Sequence, residues 1–168
     1  MVLELKNLKE LDDCEYLDYK GQVKALPILK DLFKKCKEVK FIHHIIDKGR
    51  VDIELFVTTS KGNNVKYYIE CKDRWCYFDK YADEGYILEI SKYDVMIKKQ
   101  QDSGYIPLYL NTFKDNKYRI WDLNKIPNKK IGHIERKKKT VDPSAGTKNT
   151  PHFLLFDDDV ICSGRIPS

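Results

Sequence analysis

The 168-residue chain has no apolar run near the ~18 residues that a membrane-spanning helix needs, and no signal-peptide pattern at its start. The expectation is a soluble, cytoplasmic protein with no membrane partner. It also lacks any CxxC pair. Cys14, Cys36, Cys71, Cys76 and Cys162 are odd in number and scattered, which argues for reduced thiols and against a disulfide framework or a structural zinc site. Only four histidines occur, and His43 and His44 are neighbours in an expected strand. Their side chains would point to opposite faces, which makes them poor joint ligands. No internal repeat is visible.

What the chain does have is enough apolar material for a core. Hydrophobic residues make up 42% and aromatics 12%, values of a globular protein and not of a disordered one. A chain of this length buries roughly 68–70% of its unfolded surface, so one domain needs no covalent staples. The 31 basic residues against 26 acidic ones give a net charge of +5, a balance compatible with a nucleic-acid partner.

Residues 1–25 read as a helix or helix-turn that ends at Gly21. The spacing Leu26, Leu29, Leu32/Phe33, Cys36 then predicts a helix with Pro27 in its first turn. Three strands should follow: Val39–Asp47, Val51–Thr58 and Val65–Lys72, the last two joined by the turn signal TSKGNN. An aromatic loop, WCYFDKYADEG, leads into a helix over about Tyr86–Gln101, with Gly104 as its C-cap. IPLYLNTF and KYRIWDL predict two more strands. The order helix, three strands, helix, two strands is an α/β or α+β arrangement around a mixed sheet. We divide the chain into a domain over 1–128 and a basic C-terminal arm over 129–168, in which HFLLFDDDVICSG is one candidate edge strand.

Four charges lie inside the strands Val51–Thr58 and Val65–Lys72. Val51, Ile53, Leu55 and Val57 share one face, while Asp52 and Glu54 share the other; Tyr68, Glu70 and Lys72 oppose Tyr67, Ile69 and Cys71. A register that keeps core against core pairs even numbers with even numbers. A turn centred on Gly62 sets Asp52 opposite Lys72 and Glu54 opposite Glu70. A turn centred on Lys61 sets Asp52 opposite Glu70. Opposed Cβ atoms lie ~5 Å apart and diagonal ones ~7–8 Å, so either register gathers Asp52, Glu70 and Lys72. Convergent carboxylates usually hold a cation or share a proton. An oxygen-rich, incomplete ligand set suits Mg²⁺, with Mn²⁺ as its substitute. Asp52, Glu70 and the backbone carbonyl of Cys71 are the candidate ligands. Lys72 is placed to steer water or to neutralise a phosphate under attack. The alternative is a solvated strand face with a cross-strand Asp–Lys pair.

Asp52 followed 18 residues later by Glu70-Cys71-Lys72, on consecutive strands after a helix and a strand, resembles the PD-(D/E)XK nuclease superfamily. The resemblance covers about Leu26–Leu123. It implies a restriction-endonuclease-like core and metal-dependent hydrolysis of DNA phosphodiesters, with Asp52, Glu70 and Lys72 as the catalytic residues. It leaves room for a homodimer. Val51 stands where the family usually has proline, and where many members carry a glutamate on the first helix the candidates here are Glu15, Gln22 and Asp31.

Arg50 and Arg74 flank the acidic strands and are candidates for phosphate contact. The resemblance also marks Lys92, on the second helix, as a polar residue facing the site, and it joins the candidates for nucleic-acid contact. Trp75, Tyr77, Phe78 and Tyr81 are read as a cap on the core, with base stacking as the alternative. The run Lys129, Lys130, Arg136, Lys137, Lys138, Lys139 is the candidate DNA-backbone contact, which Asp157–Asp159 would partly neutralise. A nuclease-fold protein that only binds nucleic acid, or serves in assembly, is the rival to the enzyme.

Overall fold

The computed structural model describes residues 13–43, 52–126, 130–137 and 147–167. It opens with helix α1 (Asp13–Leu32), strands β1 (Glu38–His43), β2 (Ile53–Thr58) and β3 (Asn64–Arg74), and the short strand β4 (Tyr86–Glu89). Helix α2 (Ile90–Ser103) and strands β5 (Ile106–Phe113), β6 (Lys117–Asp122), β7 (Lys130–Lys137), β8 (Thr147–Leu155) and β9 (Val160–Arg165) follow. The main sheet has the order β1-β2-β3-β5-β6-β9, and a smaller one the order β4-β8-β7.

Every neighbouring pair in the main sheet is antiparallel except β3 and β5. Parallel neighbours need a crossover, and α2 supplies it. Each face of the sheet carries a buried layer. Ile53, Leu55, Val57, Ile69, Leu108, Leu110 and Ile120 pack against Ala25, Ile28 and Leu29 of α1. On the other face Tyr68, Tyr109 and Trp121 pack with Met96 of α2, Leu88 of β4 and Leu155 of β8. The alternation read from sequence therefore separates two buried layers.

Three expectations are corrected. The N-terminal region is one helix from Asp13, with Gly21 and Pro27 both inside it. Pro27 has no N–H to donate, yet the buried stripe of Gln22, Ala25, Ile28 and Leu29 runs past it at helical spacing. Helix α2 starts at Ile90, because Tyr86–Glu89 pair with Leu155–His152 of β8 as a strand. HFLLFDDDVICSG contains the end of β8, a 3₁₀ turn at Asp157–Asp159 and most of β9. At the other end of α2 the expectation holds: Gly104 has φ 68° and donates its N–H to Gln100 O.

Among the described residues, Cys36, Cys71, Cys76 and Cys162 form no disulfide. No helix among the described residues is long and apolar enough to cross a membrane.

Candidate active site

The turn between β2 and β3 is closed by Gly62 N–H to Thr59 O and Thr59 N–H to Asn63 O, both 2.9 Å. Gly62 has φ 84°, a conformation that glycine adopts without a Cβ penalty. The resulting register pairs Ile53 with Ile69 and Glu54 with Tyr68. Of the two turns open to the sequence, this is the one centred on Lys61. Continued by one residue it sets Asp52 against Glu70, and both are buried, at 8% and 5% exposure.

Each acid is held. Asp52 Oδ2 accepts the Cys71 backbone N–H at 2.6 Å, which fixes the carboxylate against β3. Glu70 Oε1 accepts from Lys92 Nζ of α2, so the helix lysine reaches the acid across the layer. Lys92 is half exposed and Glu70 is not. Beyond Glu70, Lys72 is exposed and pairs in register with Asn111 of β5. These groups sit toward the carboxyl ends of the parallel strands β3 and β5, where open sheets place their ligand sites.

A polar shelf lies under them that the sequence reading did not find. Asn111 is fully buried, and its Oδ1 accepts from Arg74 Nε. Its Nδ2 has no hydrogen-bond partner among the described residues. Arg74 Nη2 donates to Ile87 O at 2.7 Å and to the Tyr109 hydroxyl at 2.9 Å. Arg74, read as a candidate phosphate contact, thus has Nε and Nη2 turned into the protein. Burial pushes the Tyr109 phenol up, Arg74 pulls it down and the Glu70 carboxylate pushes it up again. On the opposite face Asp73 accepts Lys24 Nζ at 2.8 and 2.7 Å and the Thr112 hydroxyl at 2.9 Å, which ties α1 to the end of β3. Asparagine and threonine inside a strand-forming run were the signal available for Asn111 and Thr112.

Of the first-helix candidates, Gln22 is buried on the sheet-facing stripe, and Asp31 is exposed and paired with Lys34 at 2.8 Å. The Glu15 side chain lies outside the described residues. Glu54, the third acid of the strand pair, accepts from the Tyr105 hydroxyl at 2.8 Å. Arg50, Lys138 and Lys139 lie outside the described residues, as do the side chains of Arg136 and Lys137, whose backbone belongs to β7. Asp157 bonds Arg119 at 2.6 Å instead of serving the basic run alone. The aromatic loop divides: Phe78 and Tyr81 pack on the core, while Trp75 is 84% and Tyr77 62% exposed.

No protein-family model matches this sequence, and no curated protein does. The backbone is similar to that of Hjc, a Holliday junction resolvase from the archaeal hyperthermophile Archaeoglobus fulgidus. The identity is 13%, the TM-score 0.48, and the match covers 88% of this chain and 92% of that one. The topology is mixed α/β around a central mixed sheet. Its elements run helix, three antiparallel strands, helix and a strand parallel to the third, with β4 added before the second helix.

As for a metal, no three His, Cys, Asp or Glu side chains converge as a metal cluster among the described residues. The candidate donors are all hard oxygens: the buried carboxylates of Asp52 and Glu70 and the backbone carbonyl of Cys71, whose N–H holds Asp52. That set is too small to enclose a cation, and it fits an ion that keeps several waters, as Mg²⁺ does.

Proposed function

We propose that this chain is a metal-dependent nuclease that hydrolyses DNA phosphodiester bonds, with Asp52, Glu70 and Lys72 as its catalytic residues. The observation that carries this reading is the opposition of two buried carboxylates at the carboxyl end of the parallel strand pair. Burying two like charges side by side is unfavourable unless a cation or a proton separates them.

Asp52, Glu70 and the Cys71 carbonyl are the residues that would hold Mg²⁺ or Mn²⁺. When bound, such an ion supplies Lewis-acid chemistry, acidifying water and offsetting charge on a phosphate. The Cys71 N–H keeps the Asp52 carboxylate in one orientation. Lys72, exposed on the same face, orients the attacking water and offsets charge on the phosphate oxygens. Asn111 Nδ2 suits an ordered water beside Lys72, since a buried amide without a partner is otherwise unfavourable. Arg136, Lys137, Lys138 and Lys139 add a sequence-independent grip on the backbone.

One observation favours the rival, a nuclease-fold protein that binds nucleic acid without cutting it: Lys92 already neutralises Glu70. The deciding experiment is Mg²⁺- or Mn²⁺-dependent cleavage of labelled single-stranded, duplex and branched DNA. Wild type would be run beside Asp52→Ala and Lys72→Ala, with folding checked by circular dichroism. Cutting that both folded variants lose supports the enzyme. Salt-sensitive binding with no cutting under any metal supports the rival. Sedimentation of the wild type with duplex DNA tests whether two copies assemble for two strands.

A further inference from the structure

The face of the main sheet that carries Asp52 and Glu70 continues toward the β2–β3 turn as a series of cross-strand rows. Asp52 and Glu70 form one row. The next is Ile42, Glu54 and Tyr68, and the one after is Lys40, Phe56 and Lys66 across β1, β2 and β3. Lys40 and Lys66 each stand directly opposite Phe56, so an aromatic ring lies between two ammonium-bearing chains. Neighbouring strands are ~4.8 Å apart, which sets the two lysine backbones ~10 Å apart.

This row floors a surface groove of about 330 Å³, lined also by Ile42, Thr58 and Asn64. A third cation comes from α2, beside the aromatic cluster next to Phe56: Lys99 Nζ lies 5.3 Å from the ring centroids of both Tyr68 and Tyr105, and Tyr105 meets Phe56 edge-on at 6.0 Å. Lys66 Nζ lies 5.6 Å from the Tyr105 ring. Two ammonium groups thus share one tyrosine. No carboxylate lies within salt-bridge reach of Lys40, Lys66 or Lys99 among the described residues. Glu38 is the one acid in the lining.

We propose that this groove binds a polynucleotide strand continuing from the site, its phosphates on Lys40, Lys66 and Lys99 and a base against Phe56. The charges select the occupant: cations with no acidic partner among the described residues, interleaved with aromatic rings, match a chain of phosphates and π-faces. The inference rests on the nuclease reading for the position of the cut phosphate. From the Asp52–Glu70 row to the Lys40–Phe56–Lys66 row is four residues along β2, ~13 Å, or about four stacked nucleotides at ~3.4 Å per step. The groove therefore reads the substrate well beyond the cut and favours strands that extend at least that far.

The test is fluorescence-anisotropy binding of single-stranded oligonucleotides of 4 to 20 nucleotides to the full chain, in EDTA, across a salt series. Wild type would be compared with a Lys40→Gln/Lys66→Gln/Lys99→Gln variant whose fold is verified by circular dichroism. Each phosphate contact contributes about −0.7 to the slope of log K against log salt for a single strand. The triple variant should therefore have a slope shallower by about two, and the deficit should vanish on the shortest oligonucleotides. An unchanged slope overturns the proposal, as does no DNA binding by the wild type. Loss of poly-glutamate binding with DNA binding intact also overturns it, since the groove would then take an acidic protein. A shallower slope without metal-dependent cutting keeps the groove and removes the nuclease. Cutting with an unchanged slope does the reverse.

Discussion

Replacing Lys92 by methionine tests the contact on which both functional readings turn. The substitution keeps most of the side-chain volume and removes the ammonium that Glu70 Oε1 accepts from. Glu70 is left buried, with its side chain 6% exposed, while the lysine it loses was 48% exposed. Stripping the partner from a fully buried ion pair is worth about 3–5 kcal/mol. For an exposed pair the value is about 0–1 kcal/mol. This pair has one buried and one half-wet member, and water can re-enter where the lysine stood, so a loss of about 2 kcal/mol is expected. In a chain of this size that lowers Tm by roughly 4–8 °C.

Thermal unfolding at neutral pH, followed by circular dichroism, measures it. The second arm is Glu70→Gln in the Lys92→Met background, which removes the stranded charge and should return most of the lost stability. The third is Mg²⁺. If the ion and the ammonium compete for Glu70, saturating Mg²⁺ should raise Tm more in Lys92→Met than in wild type, because a ligand stabilises in proportion to RT ln(1 + [L]/Kd). A Tm change under about 1 °C would refute the reasoning about burial. So would a Glu70→Gln change that adds to the loss. An equal Mg²⁺ response in both proteins would refute the competition.

Arg119, 3% exposed, donates to Phe78 O, the Tyr86 hydroxyl and Asp157 Oδ2. Arg119→Met should cost about 3 kcal/mol, or roughly 6–12 °C in Tm, through the buried acceptors it strands. Asp157→Asn should cost under about 1 kcal/mol, because that carboxylate is 41% exposed and rehydrates. At alkaline pH, Tyr86 and Tyr105 are each pushed up to about 12. Burial is the main cause for both, opposed at Tyr86 by Arg119 and reinforced at Tyr105 by its bond to Glu54. The unfolded chain gives up these protons near pH 10 while the folded chain keeps them. Their contribution is therefore whole below pH 10 and lost between about 10 and 12. Absorbance at ~295 nm should show late-titrating phenols that merge with the rest on unfolding, and Tyr105→Phe should remove one of them.

How much of this was legible depended on whether the signal was local. Strands β2, β5 and β6 follow from alternation and turn chemistry, and Gly104 ends α2 where its left-handed φ is needed. The meeting of Asp52 and Glu70 was legible for a stronger reason, since parity brings the acids together in either register that protects the core. Strand β4 was not legible, because its partner β8 lies more than sixty residues downstream and its four residues also continue a helical pattern. Gly21 and Pro27 read as punctuation, yet the packing of α1 on the sheet overrode both. Pro151 obscured β8: a proline is at home only where a ladder partner is missing, and β4 stops at the pairing of Glu89 with His152.

The opposed acids also explain why the surrounding shelf is polar. Asp52 and Glu70 are both buried, so an apolar pair at positions 52 and 70 would stabilise the chain more than two carboxylates do. Once the carboxylates are there, each nearby element has to offer a donor. Cys71 gives its backbone N–H and α2 gives Lys92, while Arg74, Tyr109 and Asn111 form a linked layer beside them. That layer would be needless under a solvated strand face, where water satisfies the acids. Burial therefore weighs against the wet-face alternative, and the donors that surround the acids follow from it.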